Sequence, residues 1–407
     1  MNKQSYKNDN IERKQTSTPK FLDKNIIKEE LDSNIVSKSN TLDDILLNRS
    51  ITFLFPTDEN KKIINQFTNV LELAVYNKNF NNINFDFKYY NNNFELEKII
   101  SSSYTPGKIY IGPIKNDDTQ SVKKFCDKKL IFFSFASNQG LAGDCIYLFN
   151  FFPQNELEEL FNFLDTETKL AFLFPENNYG FMINSIIDDI LNKSETILVN
   201  RSSYKKDLSN VRESIKELGK YNLRKYELER QKKILSTKTD LKSKERYKKL
   251  QKFKTTSDYD FTHILIADYG LNLLKVAPLL TYYDIDPNLV QFLGTGVIDD
   301  ENFFTEPSLQ GTIFPGIEKN KRIFLIKQYE EIYNENILRI STLNYDLIGL
   351  LNFVFTKNYS FNELILTLNN SKINFNGIDG KFYFKNNIVE RDLDILKISK
   401  GTAIKID

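Results

Sequence analysis

Residues 51–55 form a short apolar run, broken only by Thr52 and closed by Pro56, after which Ile63, Ile64, Phe67, Val70, Leu71 and Ala74 recur at helical spacing. This pattern predicts a strand, a loop and an amphipathic helix. The unit repeats. Residues 83–89 alternate apolar and polar, 94–100 carry a short helical pattern, and 108–112 form a strand closed by Gly112-Pro113. Residues 122–126 belong to a helix, and 130–135 are apolar but for Ser134, as in a strand covered on both faces. After Phe151-Phe152-Pro153 a second series follows: helix 155–164, strand 170–174, loop 175–180, helix 181–191 and strand 196–199. It resumes with strand 263–267, helix 270–281 and strands at 290–293 and 311–314. Strands and helices alternating at this spacing predict parallel, doubly wound α/β construction, and two Rossmann-like sheets fit one chain of 407 residues. The tail reads as helices 343–354 and 361–368, then a β-hairpin of 381–384, Asn386-Asn387 and 393–398.

Two stretches depart from this rhythm. Residues 1–50 are polar and rich in Lys, Asn and Ser, too poor in apolar side chains to offset the entropy of ordering, and read as a tether. Residues 201–258 carry 19 basic and 8 acidic side chains, a net charge of +11 in a chain whose total is +1. Ile215, Leu218, Tyr221, Leu228, Ile234 and Leu235 recur there at roughly helical spacing without a Pro, which predicts one or two long basic helices. Such an insertion is either a solvated helical pair or a docking surface for an acidic partner, lipid headgroups or nucleic acid. Its scattered aromatics do not make a base-stacking platform, and the near-neutral total charge points to no nucleic-acid partner.

Composition removes most catalytic chemistry. One His and two Cys rule out most tetrahedral zinc sites, and no cofactor or metal is expected. His263 opens an apolar strand and reads as a core histidine. Gly294-Thr295-Gly296 follows a strand but lacks the third Gly of a dinucleotide loop, no phosphate-loop Lys follows, and there is no Gly-x-Ser-x-Gly elbow. Asp188-Asp189 and Asp299-Asp300 are adjacent acids whose side chains diverge, unlike a working acid/base pair. The chain is therefore not expected to be an enzyme. Cys126 and Cys145, 19 positions apart, are compatible with a disulfide in an oxidising compartment and equally with two buried thiols. No apolar run reaches the roughly 18 residues of a membrane span. Met1 is followed by Asn, Lys, Gln and Ser with no apolar core, so no signal peptide is read there.

Several segments, taken in order, resemble the type I periplasmic-binding superfamily of branched-chain amino-acid receptors, and within it the LpoA-like penicillin-binding protein activators. They are Ile109-Tyr-Ile-Gly-Pro113, Phe133-Ser-Phe-Ala-Ser-Asn138, Phe174-Pro-Glu-Asn-Asn-Tyr-Gly180, Ile264-Leu-Ile-Ala-Asp-Tyr-Gly270 and Val290-Gln-Phe-Leu-Gly-Thr-Gly296. Glu306-Pro307, Leu309-Gln-Gly311, Asn344-Tyr-Asp346 and Phe375-Asn-Gly-Ile-Asp-Gly380 with Arg391 complete the series, which runs from residue 51 to the C-terminus. The resemblance implies two Rossmann-like lobes joined by a multi-strand hinge. Lobe 1 would take 51–150 plus 315–382, and lobe 2 would take 151–314 plus 383–407 with the basic insertion. Crossings are expected near Phe151, Pro315 and Lys381.

The resemblance also places a ligand cleft between the lobes, with Ser137, Asn138, Tyr179, Asp268, Tyr269 and Thr295 as its candidate residues. Ile114 and Lys115 stand where the amino-acid receptors carry a small hydroxyl residue. Thr295-Gly296 stands where their second-lobe acid is expected. Tyr179 and Tyr269 match the aromatic wall, and they equally read as side chains that cap helix starts and pack between the lobes. A buried ammonium without its carboxylate partner costs several kcal/mol, so a free amino acid is not the expected ligand unless Asp268 or Asp299 takes that part. The expected role is that of a non-catalytic periplasmic protein whose partner is a penicillin-binding protein, a peptidoglycan synthase. The alternative is a receptor that delivers a small solute to an ABC permease. The resemblance implies the periplasm, with attachment to the outer membrane as an option.

Overall fold

Along the strand Lys169–Glu176, Leu170, Phe172 and Phe174 enter one apolar core, and Ala171 and Leu173 enter another. The next strand in space, His263–Ile266, repeats this, with Ile264 and Ile266 on the Ala171 side and Leu265 on the other. A period of two with both phases apolar is what a sheet covered by helices on both faces requires.

The computed structural model describes residues 45–57, 61–78 and 83–406. The first sheet opens with β1 (Ser50–Pro56), α1 (Lys61–Lys78), β2 (Asn84–Tyr90), α2 (Asn93–Ser103), β3 (Ile109–Ile111), α3 (Asn116–Val122), β4 (Ile131–Ser134) and β5 (Ile146–Leu148). The chain then crosses to α4 (Pro153–Phe163), β6 (Lys169–Glu176), α5 (Asn178–Leu191), β7 (Ile197–Lys205) and α6 (Val211–Leu218). Next come α7 (Tyr221–Ser236), α8 (Leu241–Leu250), β8 (His263–Ile266), α9 (Gly270–Tyr282), β9 (Gln291–Gly294), α10 (Glu301–Phe304) and β10 (Ile313–Gly316). It returns through α11 (Lys319–Tyr333), α12 (Arg339–Thr356), α13 (Phe361–Leu368), β11 (Phe375–Gly377), β12 (Gly380–Lys385) and β13 (Ile388–Arg391). A third crossing leads to β14 (Asp394–Ser399) and β15 (Thr402–Lys405).

The sheets have orders β11-β12-β13-β5-β4-β3-β1-β2 and β15-β14-β10-β9-β8-β6-β7. Each holds five parallel strands in the same 2-1-3-4-5 order, extended at one edge by strands from the tail. This is the two-lobed, doubly wound architecture expected from the sequence.

Three expectations need correction. The hairpin pairs β12 with β13 through Asn386-Asn387, both at positive φ, while 394–399 joins the second sheet antiparallel to β10. Residues 383–391 therefore belong to the first sheet, and the third crossing falls between Arg391 and Asp394 instead of near Lys381. The tether does not extend to residue 50. Leu46 bridges to Ser360, Leu47 is buried, and the Asn48 amide donates to the Gly107 carbonyl at 3.0 Å. The rest of the proposed tether, residues 1–44, lies outside the described residues.

Cys126 and Cys145 form a disulfide, which ties the segment preceding β4 to the start of β5. The loop it closes contains Ser137 and Asn138.

Candidate functional site

The order of strands reverses between β6 and β8 in the second sheet and between β1 and β3 in the first. In open α/β sheets the crevice beyond the carboxyl ends of the strands at such points is where ligands bind. Tyr179 follows β6, Asp268 and Tyr269 follow β8, and Thr295 follows β9, so one end of the second sheet gathers all four.

Tyr179 and Tyr269 meet edge to face with ring centroids 5.1 Å apart. The Tyr179 hydroxyl lies 2.7 Å from Thr295 Oγ1, and Thr295 is fully buried. Burial drives the Tyr179 pKa well above the ordinary phenol value, with the nearby Glu156 and Asp268 adding to the effect. Tyr269 is 48% exposed, so the pair presents one buried hydroxyl and one open ring face. Glu176, Asn177, Asn178 and Lys206 join the two tyrosines around a pocket of about 300 Å³.

Asp268 does not reach into this pocket as an anchor. It is 1% exposed, accepts from the Tyr204 hydroxyl, and accepts from the Tyr269 amide at 2.8 Å. Burial raises its pKa against the pull of those two hydrogen bonds. Its work is to fix the turn that carries Tyr269.

The first-lobe loop after β4 is exposed at Ser137 and Asn138. Both backbone amides donate to Asn116 Oδ1 at 3.0 Å, and the Asn138 side chain in turn accepts from the Gly140 amide. Ser134, the last residue of β4 and three positions before Ser137, is buried and bonds to the Pro113 carbonyl and Thr119. The loop is thus held by Asn116 at the start of α3, although no motif marks that residue in the sequence.

Between the lobes lies a cluster that joins Asp346, Asp379 and Arg391, from the segments that carry the resemblance, to Glu156, Arg322 and Arg339, which no motif marks. Arg339, at the start of α12 in the first-lobe core, donates to the Gly296 carbonyl at 2.7 Å and pairs with Glu156 of α4 at 2.9 Å. Its guanidinium lies 3.9 Å from the Phe151 ring centroid. Arg322 of α11 bridges Asp299 at 2.9 Å and Asp379 at 2.5 Å, and Arg391 pairs with Asp346 at 2.8 Å while facing Phe149 and Phe382. Burial opposes the Arg322 charge, but Asp379 and Asp299 outweigh it and raise its pKa. Burial together with Asp379 pushes the Asp346 carboxyl up to about 6, despite Arg391. Gly296 has a steric duty here. A Cβ at that position would sit 2.2 Å from a Glu156 oxygen.

The signal for Glu156 and Arg322 was phase, not motif. On α4 the buried positions are Glu156, Leu157, Leu160 and Phe161, and on α11 they are Arg322, Leu325 and Tyr329. A charge on the apolar stripe of a helix must be paired inside the protein, and both are. Asp299 belongs to this cluster, and Asp188 pairs with Arg201 on the surface. Among the described residues no group of His, Cys, Asp and Glu is arranged to hold a metal ion.

The fold is similar to that of solved type I periplasmic binding proteins. A putative branched-chain amino acid ABC transporter protein from Rhodospirillum rubrum matches with a TM-score of 0.65 and 11% identity, over 89% of this chain and all of the other. The branched-chain amino acid substrate-binding protein LivJ of Streptococcus pneumoniae, in complex with isoleucine, matches at 0.55 and 14% identity over 88% and 99% of the two chains. Full-length LpoA from Haemophilus influenzae matches at 0.56 and 14% identity, over 90% of this chain and 60% of LpoA. No family profile and no curated protein matches the sequence.

Proposed function

We propose that this chain is a non-catalytic periplasmic binding protein that engages a penicillin-binding protein, a peptidoglycan synthase, in the manner of the LpoA-like activators. The observation that carries the reading is the internal pairing of charge at the interlobe cleft. Glu156 is taken by Arg339, Asp299 by Arg322 and Arg339, and Asp268 by Tyr204 and its own turn. A charged solute would have to break such a pair, and a buried ion left uncompensated costs several kcal/mol. The fold supports a binding role, and its neighbours include both solute receptors and LpoA. Among the described residues no helix is long and apolar enough to cross a membrane.

The second reading, a receptor serving an ABC permease, is favoured by the tyrosine pair and its pocket, which suit an uncharged or aromatic solute. Two measurements separate them. The purified chain should retain a bifunctional penicillin-binding protein in a pull-down. A thermal-shift screen of solutes should leave the melting temperature unmoved, because a solute at 100 times its Kd would stabilise by about 2.7 kcal/mol. A clear solute shift without synthase retention replaces the first reading by the second.

A further inference from the structure

Residues 201–258 contain more than the fold needs. The crossover from β7 to β8 is completed by α6, whose Val211, Ile215 and Leu218 are buried in the second-lobe core. Helices α7 and α8 are added after it, and α8 has no buried residue, resting on Ser243, Tyr247 and Leu250, each half-buried.

This arm is nevertheless anchored. Arg224, 3% exposed, donates to the Gly219, Thr256, Asp284 and Tyr283 carbonyls and to Thr255 Oγ1 at 2.7–3.2 Å. Its guanidinium lies 4.6 Å from the Tyr259 ring centroid. One side chain thereby fastens both ends of the arm to the lobe, while Leu228 and Leu235 seat α7. A surface held this way loses little conformational freedom on binding.

What the arm presents is cationic with an apolar stripe. Leu223, Tyr226 and Ile234, at 63, 67 and 50% exposure, line the outer side of α7. Among the described residues, Lys242, Lys244, Arg246, Lys248 and Lys249 of α8 have no acidic partner within ion-pair distance. On α7, by contrast, Glu227 and Glu229 pair with Arg230 and Lys232. Acids set among the bases of α7 weaken adhesion to an extended anionic surface such as a lipid bilayer and leave the unneutralised positive charge on α8, which complements an acidic segment of limited extent.

We propose that the α7–α8 arm is the docking surface for an acidic, amphipathic segment of a partner protein; this rests on the reading that the chain engages a synthase. The test is the affinity of the full chain for a purified bifunctional penicillin-binding protein, compared with Lys244→Glu/Lys248→Glu/Lys249→Glu and, separately, Leu223→Ser/Ile234→Ser. Circular dichroism verifies that each variant keeps its fold. The charge variant should bind at least tenfold more weakly and lose most of its salt dependence, and the apolar variant should also weaken. Wild-type affinity in the charge variant overturns the arm as the docking surface and leaves the functional reading intact. A wild-type chain that does not bind the synthase sinks both. Co-sedimentation with phosphatidylglycerol vesicles that the charge variant abolishes, with synthase affinity unchanged, assigns the arm to lipid and overturns the proposal.

Discussion

The Arg339 guanidinium stands over the ring of Phe151, 3.9 Å from its centroid, at the point where the chain first leaves one lobe for the other. Phe151 also faces Arg322 at 5.9 Å and Arg391 at 5.5 Å, so three cations surround one aromatic ring on the crossing. Each cation is held by acids, and Arg339 and Arg322 reach acids rooted in the other lobe.

Arg339→Met leaves the 4%-exposed Glu156 carboxylate without its partner. Breaking a buried pair costs about 3–5 kcal/mol, and the partial exposure of Arg339 places this one near the lower figure. Urea denaturation should show that loss, and Glu156→Gln in the Arg339→Met background should recover much of it.

Gly296→Ala tests the same contact from the other side. The added methyl would collide with the Glu156 carboxylate. Overpacking of this kind costs about 1–3 kcal/mol, measurable as a lower urea midpoint with an unchanged slope.

Reduction of the Cys126–Cys145 disulfide removes a crosslink spanning 19 positions. For a loop of this size the chain-entropy treatment gives about 3 kcal/mol. The melting temperature should fall in dithiothreitol, and a Cys126→Ser/Cys145→Ser variant should match the reduced wild type.

His263 is the only histidine in the chain, so its ring resonances titrate without overlap. Burial lowers its pKa, partly countered by Asp165. Because the folded value lies below the unfolded one of about 6.5, the stability involved is present above that pH and is lost as pH falls through the folded pKa. His263→Gln should flatten the stability profile below about pH 6.5, and a ring pKa at or above the ordinary value would contradict this.

Tyr204→Phe removes the donor to buried Asp268. An unsatisfied buried polar group costs about 1–3 kcal/mol. Denaturation should register this, and the turn carrying Tyr269 should exchange its amide protons faster.

The alternation of apolar runs and helical stripes made both sheets legible, because strands covered on two faces cannot hide a polar phase. Legibility failed where polarity and structure disagree. β7 continues through Asn200, Arg201, Ser202 and Ser203 because it is an edge strand whose two faces are both only half-buried there, where polar side chains cost little. α11 escaped notice because Arg322 occupies its apolar stripe. The hairpin partner was misread because 388–391, Ile-Val-Glu-Arg, is short and charged, whereas 393–398 is longer and more apolar. A two-residue turn at Asn386-Asn387 nonetheless commits the chain to pair at once. At the site, Tyr179, Tyr269 and Thr295 announced themselves by their place after strands. Glu156 and Arg339 lie 183 positions apart, and only the fold brings them together.

The interleaving of the lobes has a cost during synthesis. β10 is paired on one edge by β9 and on the other by β14, and roughly 80 residues of chain separate β10 from β14. At about 5–20 residues per second, the open edge of β10 waits on the order of 4–16 s for its second neighbour. An unpaired strand edge is a template for pairing with other chains. A nascent chain of this protein is therefore most vulnerable to aggregation after its second lobe has been translated and before its tail has arrived, the interval in which a holdase chaperone would protect it.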